Sequence, residues 1–216
     1  WMECVPETYL SALKLTPDYG HARLNIEAQI EAERFEEGVL LEAIVRYQDA
    51  FIASTAVAVT RKQVNLQIDV CSNPGEHEWS LHSWSPENPQ LYDLELRIIK
   101  DGKPEDTVLS YFGMRDIRID GRQILLNGSP LYQRLILDQG YWEDSHLTPP
   151  DEAALIEDIE KIQKLGYNGV RKHQKIEDER FLYWCDVKGL LVWSEMAAAY
   201  TFDDTAVSDF MTQWAE

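Results

Sequence analysis

The apolar residues of this chain change their spacing near residue 116, so one layer of secondary structure cannot serve both parts. Before that point the runs are short and alternate. In HARLNIEAQIEA (21–32), Leu24, Ile26, Ala28 and Ile30 alternate with polar neighbours. A period of two places every second side chain on the same face of a strand. Comparable runs follow at GVLLEAIVRYQ (38–48), FIASTAVAVT (51–60), QVNLQIDV (63–70), LYDLELRIIK (91–100) and DTVLSYFGMRDIRI (106–119). Such runs, separated by turn signals, predict antiparallel strands packed face to face.

Asp101-Gly102 sits between two of these runs. It predicts a tight hairpin, because glycine accepts the positive φ that the turn needs. The pattern suits an all-β immunoglobulin-like sandwich over 10–116. The Cys–Trp–Cys core of antibody domains is absent, so the expectation concerns architecture alone.

After residue 116 the period becomes helical. Thr148-Pro149-Pro150-Asp151 predicts a helix start, with Thr148 as cap, Pro149 at the first helical position and Asp151 facing the positive end of the dipole. Leu155, Ile156, Ile159, Ile162 and Leu165 then form one apolar stripe, stopped by Gly166. A short strand over 168–173 leads to a helix over 177–188 with Phe181, Leu182, Trp184 and Cys185 inward. The continuous apolar run 190–194 marks a strand buried on both faces. Asp203 or Asp204 opens a third helix. With a strand at 131–137, these segments read as three successive βα units of a parallel sheet. The carboxyl ends of such strands are where ligands bind. There stand Asp138, Gln139, Arg171, His173 and Glu195.

The net charge of −18 excludes nucleic acid as a partner, since phosphate binding needs an excess of Lys and Arg. It argues equally against anionic membrane surfaces. No stretch approaches the roughly 18 apolar residues that span a bilayer. Cys4, Cys71 and Cys185 show no metal-ligand spacing, and reduced structural thiols are expected. The aromatic load, with seven Trp and ten Tyr, reads first as core packing and second as sugar stacking. His21, His77, His82 and His146 have no partner pattern and are expected on the surface or in loops. No nucleophile elbow, phosphate loop or dinucleotide fingerprint occurs.

WSPENPQLY (84–92) followed by YFGMRDIRIDGRQILLNGSPLYQR (111–134) resembles the join between sandwich and barrel in glycoside hydrolase family 2. LDQGYW (137–142), GYNGVRKHQK (166–175) and YWCDVKGLLVWSEM (183–196) resemble the strands and helices of its barrel. The resemblance implies residues 1–9 as the tail of a preceding jelly-roll sugar-binding domain. It implies the sandwich at 10–116 and, over 117–216, the first three units of a (β/α)8 TIM barrel. It implies a retaining O-glycosyl hydrolase of β-galactosidase type, acting on a carbohydrate substrate. Both catalytic carboxylates are then expected beyond residue 216, with this portion inactive and no residue of the chain catalytic. Asp138, Arg171, His173 and Glu195 become substrate-side groups. Arg171 would brace the catalytic carboxylates, His173 would reach a sugar hydroxyl, and Glu195 would be a hydrogen-bond brace. A magnesium ligand at Glu195 is not expected, because Ala197 stands where the metal-dependent members carry His. No cofactor is expected. The alternatives are a structural Arg171–His173 pair, a polar loop cap at Asp138 and Gln139, and a sandwich that acts as scaffold or carbohydrate-binding module. Trp142 and Trp193 are read as packing before sugar platforms. An incomplete barrel would expose a strand edge, so a homo-oligomer is a further possibility. A cytoplasmic location is favoured, with the parent's N-terminus unseen.

Overall fold

The computed structural model describes residues 2–71, 81–201 and 203–215. The chain forms two compact units, Trp1–Leu131 and Tyr132–Glu216. His77 lies outside the described residues.

The first unit is an antiparallel sandwich. Strands β1 (Tyr9–Asp18), β2 (Arg23–Glu31) and β5 (Gln63–Asp69) form one sheet in the order β1-β2-β5. Strands β3 (Leu40–Tyr47), β4 (Ala50–Ala58), β6 (Tyr92–Lys100) and β7 (Lys103–Phe112) form the other, ordered β4-β3-β6-β7. The expected alternation is realised: Leu24, Ile26, Ala28 and Ile30 are all buried, against Leu41, Ala43 and Val45 of β3 and Leu94, Leu96 and Ile98 of β6. Each such burial contributes about 1.5–3 kcal/mol for a Leu or Ile, before chain entropy is counted. Asp101 and Gly102 both have positive φ, 52° and 72°, and close the β6–β7 hairpin as the sequence predicts.

Two parts of this unit differ from the sequence reading. The run 106–119 is not one strand. β7 ends at Phe112, and Gly113 lies where an added Cβ would stand 3.2 Å from Trp84 Cβ. The backbone there turns to pair with Trp84, whose N–H donates to Met114 O at 2.9 Å. Ile117–Asp120 (β8) instead begins a small separate sheet with β9 (Gln123–Leu126) and β10 (Ser129–Pro130). Secondly, His82 is not a bare loop residue. Its ring stacks on Tyr47 with centroids 3.6 Å apart, and partial burial holds its pKa below the usual range.

Tyr92 is fully buried beneath that stack and accepts the His82 backbone N–H at 2.8 Å. Burial pushes its pKa up to about 12. A raised phenol favours folding while it is neutral. Its contribution is complete below the unfolded tyrosine value near 10 and is lost as pH rises towards 12. Tyr92→Phe should therefore flatten the alkaline loss of sandwich stability between about pH 10 and 12, measured as urea midpoints against wild type at each pH. Parallel curves across that window would show that Tyr92 ionises as readily in the folded state as in the unfolded one.

The second unit is a parallel three-stranded sheet, β11 (Leu135–Asp138), β12 (Gly169–Lys172) and β13 (Leu191–Trp193), in that order. Helix α1 (Glu152–Lys164) links the first pair and α2 (Glu179–Lys188) the second; α3 (Asp204–Ala215) follows. Both helices start later than the sequence reading has them. Asp151, not Thr148, caps α1, accepting the Ala154 N–H at 2.8 Å. Asp178 caps α2 through the Arg180 N–H. A short carboxylate side chain satisfies an orphan amide and also faces the positive end of the helix dipole, so aspartate wins both positions. Leu155, Ile159 and Ile162 pack with Val170, Phe181, Cys185 and Leu190. Leu165 is 71% exposed, because the helix closes there and the stripe has already turned away.

Candidate functional site

Parallel pairing brings the carboxyl ends of β11, β12 and β13 side by side. Leu137 is in register with Arg171, and Arg171 with Trp193. The residues that follow each strand therefore meet at one end of the sheet. All four expected site residues, Asp138, Arg171, His173 and Glu195, lie at this end.

Arg171 Nε donates to Glu195 Oε1, and the Gln174 backbone N–H donates to Glu195 Oε2 at 3.1 Å. The Arg171 hydrogen bond, joined by the Gln174 amide, holds the Glu195 carboxyl below the usual glutamate range; the charges of Arg171 and His173 add to this. Glu195 is thus an ionised acceptor with both oxygens engaged. Gln174 reaches it from a left-handed backbone conformation, φ 54°, uncommon for a residue with a side chain.

His173 turns towards the other neighbour. Its backbone N–H donates to Asp138 O at 2.8 Å, and its Nδ1 lies 3.2 Å from Gln139 Nε2. With the Gln139 amide oriented this way its nitrogen donates and Nδ1 accepts, and the tautomer that matches carries its proton on Nε2, where it can donate elsewhere. Arg171 and His173 thus engage opposite flanking loops, Arg171 that of β13 and His173 that of β11.

Asp138 is anchored from below. Its Oδ1 accepts the Gly140 N–H at 2.7 Å, and its Oδ2 pairs with Lys172 Nζ. The sequence reading passed over Lys172, Lys175 and Glu177. Lys172 also pairs with Glu177 Oε2 at 2.7 Å, both side chains being 3% exposed, and Lys175 holds Glu177 Oε1 at 2.9 Å. A charged residue in a strand is ordinarily taken as solvent-facing. The one available signal was charge balance in KHQKIE (172–177), two Lys and one Glu beside an Asp at the end of the preceding strand.

Trp142 packs on the α1–α2 core, as read from the sequence. Trp193 does not join that core and is 50% exposed. Beyond Glu195 an apolar groove of about 520 Å³ runs along Met196, Ala197 and the α3 side chains Val207, Phe210 and Trp214. Ala197 lines this groove. Among the described residues no helix is long and apolar enough to cross a membrane.

Chemically, the site offers a fixed cation–carboxylate pair, an imidazole N–H donor and amide groups at the mouth of a parallel sheet. Such a set suits hydroxyl-rich, uncharged or weakly charged ligands, which need donors and acceptors at fixed angles.

Comparison with known proteins identifies the family. The family model of glycosyl hydrolases family 2 matches residues 8–115, half of the chain. The chain is 24% identical over 203 residues to a putative beta-glucuronidase of Formosa agariphila, covering 91% of this chain and 23% of that protein. It is 27% identical over 194 residues to a beta-galactosidase of Vibrio cholerae, covering 88% of this chain and 19% of that protein. The crystal structure of a GH2 beta-galacturonidase from Eisenbergiella tayi bound to galacturonate superposes with a TM-score of 0.72 at 26% identity, over 90% of this chain and 34% of that one. The chain thus spans about a fifth to a third of the length of these relatives. With the sandwich matched by the family model and the parallel strands by the longer alignments, the chain belongs to glycosyl hydrolases family 2.

Proposed function

We propose that this chain is the linking and leading part of a retaining glycoside hydrolase that cleaves terminal β-glycosides, with a β-galactoside as the first substrate to test. In this reading residues 1–9 end a jelly-roll domain, 10–116 are an immunoglobulin-like spacer, and 117–216 begin a TIM barrel. The observation that carries it is the Arg171–Glu195 pair beside the His173–Gln139 pair at the carboxyl ends of three parallel strands. Support also comes from relatives whose names span galactosidase and glucuronidase activity. Arg171 orients carboxylates, His173 Nε2–H donates to a sugar hydroxyl, Asp138 holds the first loop, and Glu195 fixes the Arg171 guanidinium. Retention needs two carboxylates about 5–5.5 Å apart. In this reading Glu195, engaged by Arg171 and the Gln174 amide, takes neither role, and the 216 residues alone are expected to be inactive.

The test compares this chain with a polypeptide carrying the same sequence at the length of its relatives, on nitrophenyl β-galactoside and β-glucuronide. The short chain should match a buffer blank and the long one should turn over. Arg171→Ala in the long form should lower kcat/KM by about 10²-fold, the scale of a misplaced reacting group. Turnover by the short chain above blank would sink the proposal that its cleaving carboxylates lie elsewhere.

A further inference from the structure

Four charged groups join the loops that follow β11 and β12. Lys172 Nζ lies between Asp138 Oδ2 and Glu177 Oε2, 3.9 Å above the centre of the Phe181 ring. Lys175 Nζ pairs with Glu177 and also donates to Gly140 O at 3.2 Å and Leu147 O at 3.0 Å. Two cations and two carboxylates balance within the ion-paired set, and Asp158 of α1, whose carboxyl burial raises, interacts with Asp138, Lys172 and Glu177 beside it. Stability alone gives little reason for the paired set, because apolar residues of the same volume would serve a core at least as well. Besides Phe181 and the Asp178 amide at the start of α2, its contacts go to the carboxylate and carbonyls of 138–147, the segment whose Gln139 meets the His173 ring.

We infer that Lys172 and Glu177 are positioning residues, which fix the 138–147 loop and through Gln139 hold the His173 imidazole in a single tautomer with its proton on Nε2. Neither touches the mouth of the site, since both lie 3% exposed beneath it. They act through Asp138, whose other oxygen accepts the Gly140 amide and so shapes the turn carrying Gln139. That the imidazole faces a sugar rests on the function proposed above; the setting of the loop does not.

The decisive variant is Lys172→Met with Glu177→Leu in the 216-residue chain. Lys172→Met alone strands a buried carboxylate, whereas the pair removes one charge of each sign. Asp138 and Lys175 remain, 22% and 16% exposed, and Lys175 loses the carboxylate that fixes it. Amide hydrogen exchange and ¹⁵N spectra of the His173 ring are read without any substrate. The amides of Gly140, Trp142 and His146, hydrogen-bonded within this loop, should exchange at least about tenfold faster, while Val170 and Val192 keep their protection. The His173 ring should change from one tautomer to a mixture, which loss of packing alone would not cause. A folded double variant with unmoved loop amides and an unchanged tautomer would overturn the assignment. So would collapse of the β11–β13 protection in the double variant, which would make the cluster a support of the fold as a whole. Failure of glycoside hydrolysis would touch only the proposed function, and an unmoved loop only the positioning role.

Discussion

Lys172→Met should lower the stability of the second unit by about 3–5 kcal/mol, the usual cost of removing one member of a buried ion pair. Met fills a similar volume and can lie on Phe181, so the loss is electrostatic. Glu177 keeps only Lys175, and Asp138 loses its cation. Burial pushes the Glu177 pKa up, but hydrogen bonds from Lys172, Lys175 and the Asp178 amide outweigh it and hold the carboxyl below its ordinary range. A depressed carboxyl contributes stability above its unfolded value and loses it as pH falls through the lowered folded one. Without Lys172 that balance tips, and the carboxyl should take up a proton at higher pH. Asp158, half-buried on α1, has the opposite sign: burial raises it, so it favours folding at low pH and opposes it as pH rises. The measurement is segment-resolved hydrogen exchange against urea. β11–β13 should open at markedly lower urea in Lys172→Met while β2, β3 and β6 hold. The Lys172→Met, Glu177→Leu pair should recover much of the loss, a coupling that two independent sites would not show. A single variant within about 0.5 kcal/mol of wild type would mean that water screens the cluster.

The sandwich strands were legible where one face is apolar and the other wet, as at Leu24, Ile26, Ala28 and Ile30. The strand at the start of the chain was not. Leu10, Leu13 and Leu15 of β1 all pack on the core, but a register shift between Leu10 and Ala12 changes their parity, so only a short alternation, Leu13 and Leu15 against Lys14 and Thr16, survives. A bulge inserts one residue and interrupts the pattern by which strands are found. The break at Gly113 was hidden for a different reason: it depends on Trp84, a contact made only once the chain is folded. At the site, the end-of-strand positions of Asp138, Arg171, His173 and Glu195 follow from the βα alternation, and the structure gathers them. Their partners do not follow. Arg171 meets Glu195 across 24 residues and Lys172 meets Asp138 across 34. Local pattern shows which residues face an end of the sheet, but long-range pairing decides which of them touch.

Gly169→Val should cost the second unit about 3 kcal/mol, the upper end of ordinary overpacking. Gly169 is the first residue of β12, flanked in register by Leu135 of β11 and Leu191 of β13. A Cβ there would stand 2.5 Å from Leu135 Cδ2, 2.8 Å from Leu191 Cβ and 2.8 Å from Leu191 O. The first contact is with a flexible side-chain end and can give way. The other two are a main-chain oxygen and the Cβ fixed directly to that main chain, in a paired strand that cannot move without stretching the hydrogen bonds that hold β12 to β13. Interiors near crystal density leave no slack for such a shift. Two further variants separate these contributions. Leu135→Ala added to Gly169→Val should restore little, because it clears only the side-chain contact. Gly169→Ala should already lose most of the stability, because the clash begins at Cβ. Thermal unfolding followed by exchange at Val170 and Val192 reads all three. The expected order is wild type well above Gly169→Ala, with Gly169→Val lowest and the Leu135→Ala combination beside it. Full rescue by Leu135→Ala would show that strand spacing at β13 adapts. The arrangement of Arg171 and Glu195, which depends on β12 and β13 lying in this register, would then tolerate more at their base than the close approach at Gly169 allows.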